Sequence, residues 1–298
     1  MTDLPPLRLA TRGSRQALAQ STAVASLIRS LAGRAVDLIE ISTIGDRTQG
    51  DNVPLHSIGG QGVFVKEVQR AVLDGRADLA VHSAKDLPSD TADGLVLAAF
   101  TERRSSNDVL IGGRLDDLAQ GATVASGSVR RRAQLASVRP DLEFVELRGN
   151  IDSRLSKIPD GGAIVMALAA LEILESTDRV DQVLDLEAFV PAVGQGCVAV
   201  ECRLDDADTI AALTAIDHVP TRDRVEVERA FLGELGSGCS LPVAGHVMGG
   251  RLHVFLADPE RNEHVSDVID LPEPGSGDDD SRLEVARRAA RTLQERLG

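Results

Sequence analysis

Apolar and polar positions alternate along the first hundred residues in a way that predicts strands and helices in turn. Short apolar runs read as strands, and longer stretches with apolar residues three or four positions apart read as helices. Strands are predicted at residues 7–10, 36–41, 79–81 and 95–100, and helices at residues 14–32 and 63–73. Such alternation is typical of an α/β unit with a mostly parallel sheet.

A second series of the same kind begins after a polar stretch at residues 101–107. Its predicted strands are residues 109–111, 123–125, 144–147 and 163–166, and its predicted helices are residues 130–138 and 151–158. Two α/β blocks in tandem are the simplest interpretation. Because the two series are alike, they are candidates for pseudo-equivalent lobes.

Beyond residue 205 the pattern changes to that of a small α+β domain. A helix through residues 226–235 precedes three predicted strands, at residues 243–247, 252–256 and 265–269. A last helix is predicted to start where Ser281 and Glu284 form a capping-box pattern. The fold class expected from the sequence is therefore α/β with a C-terminal α+β domain.

Composition restricts the classes of partner. The 298 residues carry a formal charge of −14 and include six Phe but no Trp or Tyr, which argues against nucleic acid and anionic membranes as partners. The longest apolar run is the nine residues 163–171, too short to span a membrane, and residues 1–10 do not resemble a signal peptide. Three cysteines without a C-x-x-C pair predict neither a disulfide framework nor a metal site. A cytoplasmic enzyme or binding protein is expected.

Arginine is concentrated in one part of this acidic chain. Residues 126–154 contain six arginines and four acidic residues, and several of the arginines follow predicted strands. In an open α/β sheet, ligands bind at the carboxyl ends of strands, where helix N-termini also favour anions. A guanidinium matches a carboxylate or a phosphate. The Arg12-Gly13-Ser14 turn repeats this arrangement after the first strand. Two interpretations of these arginines remain: they bind a polyanionic ligand, or they lie on solvated helix faces.

Two further segments carry candidate chemistry. Residues 82–88, HSAKDLP, place His82, Lys85 and Asp86 in a short turn after a buried strand. There a carboxylate can stabilise a cation or move a proton, or it can simply cap the turn, and His82 can be a structural histidine. Cys239 lies in residues 236–242, GSGCSLP, and is either an accessible nucleophile or a small buried thiol.

Eight segments in this order carry a resemblance that runs over nearly the whole chain. They are residues 9–14 (LATRGS), 62–67 (GVFVKE), 80–88 (AVHSAKDLP), 128–131 (SVRR), 147–155 (LRGNIDSRL), 191–196 (PAVGQG), 200–203 (VECR) and 238–239 (GC). Together they resemble the hydroxymethylbilane synthase family, also called porphobilinogen deaminases. A non-catalytic two-lobe binding protein and a phosphate-ester enzyme are the rival interpretations.

The resemblance implies a transferase of porphyrin and haem biosynthesis. In that family a cysteine, here Cys239, carries a dipyrromethane cofactor through a thioether. Four porphobilinogen molecules are joined onto it with loss of ammonia, and hydrolysis releases the linear tetrapyrrole hydroxymethylbilane. Asp86 matches the catalytic aspartate. The residues that match cofactor-binding positions are Ser83, Lys85, Ser126, Ser128, Arg130 and Arg131, and those that match substrate-binding positions are Arg12, Ser14, Arg148, Arg154 and Gln195.

The resemblance also implies a monomer with two lobes like those of periplasmic binding proteins and a C-terminal α+β domain. The expected boundaries are residues 1–101 with 197–218 for the first lobe, 102–196 for the second, and 219–298 for the domain with the cofactor cysteine. Three departures from the family pattern stand out. Gln61 and the Glu172-Ile173 pair occupy places where the family often has basic residues, and Ser126-Gly127-Ser128 replaces the usual Thr-Ser-Ser.

Overall fold

The structure, a computed structural model, describes residues 4–42, 65–236, 242–274 and 279–298. The chain divides into two compact units. The first unit comprises Met1–Arg104 and Cys197–Arg222, and the second comprises Ser105–Gly196 and Asp223–Gly298. Gln61, one of the departures, and Cys239, the predicted site of cofactor attachment, lie outside the described residues.

The described residues form three sheets and the helices that cover them. The strands are β1 (Leu7–Thr11), β2 (Val36–Glu40), β3 (Leu79–Ser83), β4 (Leu95–Phe100), β5 (Asp108–Ile111), β6 (Thr123–Ala125), β7 (Glu143–Val145), β8 (Ala163–Ala167), β9 (Gln182–Val183), β10 (Val198–Arg203), β11 (Val243–Met248), β12 (Arg251–Asp258) and β13 (Glu263–Asp270). The α-helices are α1 (Arg15–Leu27), α2 (Lys66–Leu73), α3 (Val129–Val138), α4 (Ile151–Leu155), α5 (Leu168–Glu172), α6 (Ala207–Thr214), α7 (Val219–Glu234) and α8 (Asp279–Leu297).

The first sheet belongs to the first unit and has the order β2-β1-β3-β10-β4. Strands β2, β1 and β3 are parallel, whereas β10 is antiparallel to both β3 and β4. The central strands read as continuous apolar runs because helices cover both faces. Leu9, Leu79 and Val200 are fully buried in the resulting core.

The second sheet belongs to the second unit and has the order β7-β6-β8-β5-β9. Strands β7, β6 and β8 are parallel, and β5 is antiparallel to β8 and β9. Leu110, Val124 and Leu135 are fully buried in its core. The strand order and directions match those of the first sheet position by position, which confirms that the two lobes are pseudo-equivalent in topology.

The third sheet, β11-β12-β13, is antiparallel and lies in the same unit as the second sheet. A two-residue turn joins β11 to β12, and both of its residues, Gly249 and Gly250, have positive φ values of 57° and 77°. This is the geometry of a tight hairpin, and it requires glycine-like freedom at both positions. Helices α7 and α8 supply Phe231, Ala290 and Leu293 to the core behind the sheet.

The predicted fold class is confirmed, with two corrections. The lobe sheets are mixed and not mostly parallel, because β10 runs against β3 and β4, and β5 runs against β8 and β9. The last helix starts at Asp279, so Ser281 lies inside its first turn and not at its N-cap. Strand β9 and helices α5 and α6 were not predicted; β9 and α5 are short, with two and five residues, whereas α6 has eight. Among the described residues, no helix is long and apolar enough to cross a membrane.

Candidate active site

The turn after β1 places Arg12 and Ser14 at the carboxyl edge of the first sheet. Ser14 is the N-cap of α1, and its hydroxyl accepts a hydrogen bond from the Ala17 amide at 3.3 Å. Between them, Gly13 lies against the side chain of Glu40 at the end of β2, where an added Cβ would overlap the glutamate carboxylate. A helix N-terminus with a neighbouring arginine is an arrangement suited to an anion.

The turn after β3 carries Ser83, Lys85 and Asp86 at the same edge. It is a single 3-10 turn, Ala84–Asp86, held by a hydrogen bond of 2.9 Å from the Ala84 amide to the Cys197 carbonyl oxygen. Asp86 is exposed, whereas Ala84 and Leu87 are buried on either side of it. The turn therefore presents the Asp86 carboxylate to solvent from a fixed backbone.

Helix α1 connects the two turns of the first lobe. The Gln20 amide nitrogen of this helix lies 3.0 Å from the Ser83 hydroxyl oxygen. Strands β1 and β3 are parallel neighbours, so the Arg12-Gly13-Ser14 turn and the Ser83 to Asp86 turn emerge side by side. The predicted site residues of the first lobe are thus brought together at one sheet edge.

A buried polar cluster lies beneath the Asp86 turn. His82, one residue before Ser83, is 6% exposed, and its Nε2 atom is 3.0 Å from Oε2 of the buried Glu201. The two side chains are therefore in direct polar contact. Gln69 donates to both carboxylate oxygens of Glu201, at 3.2 and 2.9 Å. These contacts favour the structural interpretation of His82.

In the second lobe, the turn after β6 places Ser126 and Ser128 before helix α3. The Ser126 amide donates to the Val145 carbonyl oxygen at 2.9 Å, which joins the ends of β6 and β7. Ser128 is the N-cap of α3 and accepts from the Arg131 amide at 3.4 Å. A Cβ at Gly127 would come within 2.8 Å of the Leu147 carbonyl oxygen, so this turn requires glycine for close packing.

Arg130 and Arg131 share one buried carboxylate. Nη1 of Arg130 lies 2.7 Å from Oδ2 of Asp108, and Nη2 of Arg131 lies 2.8 Å from Oδ1. Gln195, which is fully buried, donates to the same Oδ1 at 2.9 Å. Burial alone would raise the pKa of Asp108, but the two guanidinium groups outweigh it and hold this pKa well below its usual range.

The first turn of α3 is unusually basic for a helix N-terminus. It contains Arg130, Arg131 and Arg132 and no acidic residue. Cations at this end oppose the helix dipole and lower helix stability. Asp108 and Glu146 offset this effect, the latter through a contact of 2.6 Å between its Oε2 atom and Nη2 of Arg132. Such an arrangement is expected where a helix N-terminus must hold anionic groups.

Arg148 and Arg154 belong to the turn after β7 and to helix α4. Nε of Arg148 lies 3.3 Å from Oε1 of Glu146. Nε of Arg154 donates to the Gly149 carbonyl oxygen at 2.8 Å, which fixes the guanidinium against the turn. Gly149 has a φ of 114°, a value that a side chain would strain.

The predicted residues therefore form two groups, one in each unit. The group in the first unit consists of Arg12, Ser14, Ser83, Lys85 and Asp86. The group in the second unit consists of Ser126, Ser128, Arg130, Arg131, Arg148, Arg154 and Gln195. Sequence reasoning missed Asp108, Glu146 and Glu201, because a single acidic residue beside an apolar run has no recognisable spacing. Glu172, at one of the departures from the family pattern, accepts a hydrogen bond from the Ser105 amide at 3.3 Å.

The donors of the second lobe fit a group with several carboxylates. Hydroxyls, helix amides and guanidinium groups converge on the ends of β6 and β7, which are adjacent and parallel. The acetate and propionate side chains of a dipyrromethane are carboxylates that such donors bind. The described residues contain no cluster of three or more histidine, cysteine or acidic side chains that could hold a metal ion.

Fold and site together define a two-lobed α/β protein whose lobes both carry turns at strand ends with donors suited to anions. Residues 7–211 match the family model "Porphobilinogen deaminase, dipyromethane cofactor binding domain". The chain belongs to the porphobilinogen deaminase family. The family comprises transferases of tetrapyrrole biosynthesis, and the matched domain is the one that binds their dipyrromethane cofactor.

Individual relatives agree with the family match. The porphobilinogen deaminase of the Miyazaki F strain of Nitratidesulfovibrio vulgaris is 47% identical over 248 residues, which cover 81% of this chain and 78% of that one. The porphobilinogen deaminase of Geobacter metallireducens is 40% identical over 275 residues, covering 89% and 86%. A periplasmic substrate-binding protein of an ABC transporter from Coxiella burnetii matches with a TM-score of 0.43 and 14% identity, covering 72% and 94%, a distant likeness only.

Proposed function

We propose that this chain joins four porphobilinogen molecules head to tail onto a dipyrromethane carried by Cys239, with loss of ammonia, and releases hydroxymethylbilane by hydrolysis. The family match supports the reaction. The observation that carries the residue assignment is Asp86, an exposed carboxylate on a turn whose neighbours Ala84 and Leu87 are buried. When bound, the dipyrromethane supplies the pyrrole onto which the substrate units are joined.

Asp86 is assigned the catalytic role. A substrate that loses ammonia from its aminomethyl group develops positive charge, and a carboxylate held at the reacting carbon stabilises that charge and moves the proton. The fixed turn between β3 and Leu87 holds the carboxylate in position before the substrate arrives. Water cannot do this equally well, because its dipoles must reorient at each step.

The arginines and serines are assigned to the carboxylates of the cofactor and substrate. Ser83, Lys85, Ser126, Ser128, Arg130 and Arg131 are proposed to hold the cofactor, and Arg12, Ser14, Arg148 and Arg154 to hold the substrate units. Gln195 also matches a substrate-binding position, but it is fully buried and donates to Asp108, so it is proposed to act indirectly, through the carboxylate that pairs with Arg130 and Arg131. Repeated carboxylates on each added unit explain why an acidic chain concentrates arginine at two strand ends.

The cysteines other than Cys239 are poor candidates for cofactor attachment. Cys197 and Cys202 are both buried in the first lobe. Burial, together with the nearby Asp206, raises the pKa of Cys202 to about 11, so its nucleophilic thiolate form is disfavoured at neutral pH.

We propose further that the protein acts as a cytoplasmic monomer. We also propose that it binds neither nucleic acid nor anionic membranes, since its charge of −14 repels both.

The test combines intact mass with turnover in four proteins. Wild type is expected to be heavier than its sequence by one dipyrromethane, and Cys239→Ser to lack the increment. Asp86→Asn is expected to keep the increment and to lose about 100-fold or more of its kcat, the usual contribution of a positioned acid or base. Asp90→Asn removes an exposed aspartate four residues away and should leave kcat unchanged.

Each outcome decides between the candidate functions. An unmodified wild type without deaminase activity would leave a two-lobe binding protein as the better interpretation. A modified and active wild type whose Asp86→Asn variant turns over normally would remove the catalytic role from Asp86 while leaving the reaction in place.

A further inference from the structure

Glu146 is a carboxylate of the chain itself at the edge where the proposed function requires carboxylates of the ligand. It directly follows β7 and precedes Leu147 and Arg148. A Cβ atom added at Gly127 would lie 3.0 Å from Oε1 of Glu146. The Glu146 side chain therefore extends over the turn that follows β6. The family assignment has no role for this residue.

The carboxylate of Glu146 joins two arginines of different elements. Oε2 lies 2.6 Å from Nη2 of Arg132 in the first turn of α3, and Oε1 lies 3.3 Å from Nε of Arg148. Arg132 is anchored a second time, through a bond of 2.6 Å from Nε to the Ser126 carbonyl oxygen. The contact to Arg148 is the longer one, and Arg148 is the arginine assigned to the substrate.

Exposure separates Glu146 from the other acidic partner of this edge. The Glu146 side chain is 48% exposed, whereas that of Asp108 is 2% exposed. A solvated ion pair is weak and exchanges its partners, whereas a buried one cannot be broken without a large loss. Asp108 is therefore a permanent counter-charge, and Glu146 is an exchangeable one.

The first lobe contains a similar arrangement. Glu40 ends β2, the strand beside β1, and its carboxylate lies against Gly13 in the turn that carries Arg12. Strands β2 and β1 occupy the sheet positions that β7 and β6 occupy in the second lobe. Each lobe thus places a glutamate from the neighbouring strand over the glycine of its anion-binding turn.

We propose that Glu146 determines the affinity for the substrate by acting as a built-in carboxylate that holds Arg148 until a pyrrole carboxylate displaces it. This inference rests on the proposed function. Competition with an internal carboxylate weakens binding, and it leaves Arg148 oriented and charge-balanced when no ligand is bound. Removing the charge of Glu146 should therefore strengthen substrate binding.

The test compares wild type, Glu146→Gln and Glu143→Gln as cofactor-bearing enzymes. Glu146→Gln is expected to lower KM for porphobilinogen about fivefold, the range of an exposed ion pair, with kcat changed less than twofold. Added acetate, a simple carboxylate, should inhibit this variant at lower concentration than wild type, an effect that a purely structural role would not produce. Glu143→Gln makes the same charge change at the exposed start of β7 and should match wild type in both measurements.

The possible failures are distinguishable. An active wild type with an unchanged or raised KM in Glu146→Gln would overturn the inference and leave the proposed function intact. Equal acetate inhibition of the three proteins would overturn it as well. A wild type without deaminase activity would instead refute the proposed function.

Discussion

The two lobes share one topology but neutralise a buried carboxylate in different ways. The fourth strand is β10 in the first sheet and β5 in the second. Each carries one buried acidic residue, Glu201 on β10 and Asp108 on β5, exposed by 1% and 2%. Their registers differ, because Glu201 pairs with Ala80, the second residue of β3, whereas Asp108 pairs with Ala167, the last residue of β8. The corresponding strand therefore bears a buried acidic residue in both lobes, at different positions along the strand.

The partners of these two carboxylates differ in chemical type. Glu201 contacts an amide of Gln69 and the imidazole of His82. Asp108 contacts two guanidinium groups, from Arg130 and Arg131. One topology thus serves two purposes. In the first lobe the buried carboxylate supports the strand that leads to Asp86, and in the second it supports a cationic helix N-terminus.

Among the variants that test this comparison, Asp108→Asn should lower the free energy of unfolding the most. In Asp108→Asn, two nearly buried guanidinium groups lose their counter-charge, and the loss of unfolding free energy is expected to be about 3–5 kcal/mol. Far-UV circular dichroism in urea measures it, since the chain has no Trp or Tyr to report by fluorescence. Asp141→Asn breaks a partly exposed Asp–Arg pair of the same lobe and should cost much less unfolding free energy.

The pH dependence of this difference provides a second measurement. Because the pKa of Asp108 is lowered in the folded protein, the stability it contributes is complete above its unfolded value of about 4 and is lost as pH falls below it. The gap between wild type and Asp108→Asn should therefore be constant near neutral pH and shrink below about pH 4. A gap that grows as pH falls would contradict the assigned ion pairs.

The glycines of the two anion-binding turns should respond unequally to alanine. A Cβ at Gly127 would meet the backbone oxygen of Leu147 at 2.8 Å, whereas at Gly13 it would meet the flexible end of Glu40. Gly127→Ala is expected to cost about 1–3 kcal/mol, typical of overpacking, and to raise KM, while Gly13→Ala costs less because Glu40 can turn away. The melting temperature and the KM of both variants test this difference. Equal losses of stability in the two variants would mean that the two turns are packed equally tightly.

Periodicity was sufficient to predict most strands of the two lobes and of the third sheet, because most of these strands are apolar runs that are visible locally. The β3 strand is an example, since a short apolar run before the turn that carries Asp86 is visible in the sequence. The mixed direction of the sheets was not predictable in this way. It depends on β10 and β5 pairing with strands far away in sequence, and such pairing leaves no mark on either strand alone.

The candidate site was predicted by residue type and by resemblance, and its electrostatics were not. Arginine after a strand indicates an anion site, so Arg130, Arg131 and Arg148 were predicted as site residues. Nothing adjacent to Asp108 in sequence indicates that two arginines more than twenty residues away share it. Counter-charges follow from tertiary contacts, and these contacts also decide which arginines are buried and which remain available to a ligand.

Glu201→Gln is expected to have the smallest effect on the free energy of unfolding. Its value can be compared directly with that of Asp108→Asn in the other lobe. The glutamine keeps the size of the side chain and can still accept a hydrogen bond from Gln69. Loss of the carboxylate leaves no guanidinium without a partner, because Glu201 contacts Gln69 and His82. A cost of about 1–2 kcal/mol, that of disturbing a buried hydrogen bond, is therefore expected in urea unfolding. A loss as large as that of Asp108→Asn would contradict this comparison, because the two buried carboxylates would then contribute equally to stability.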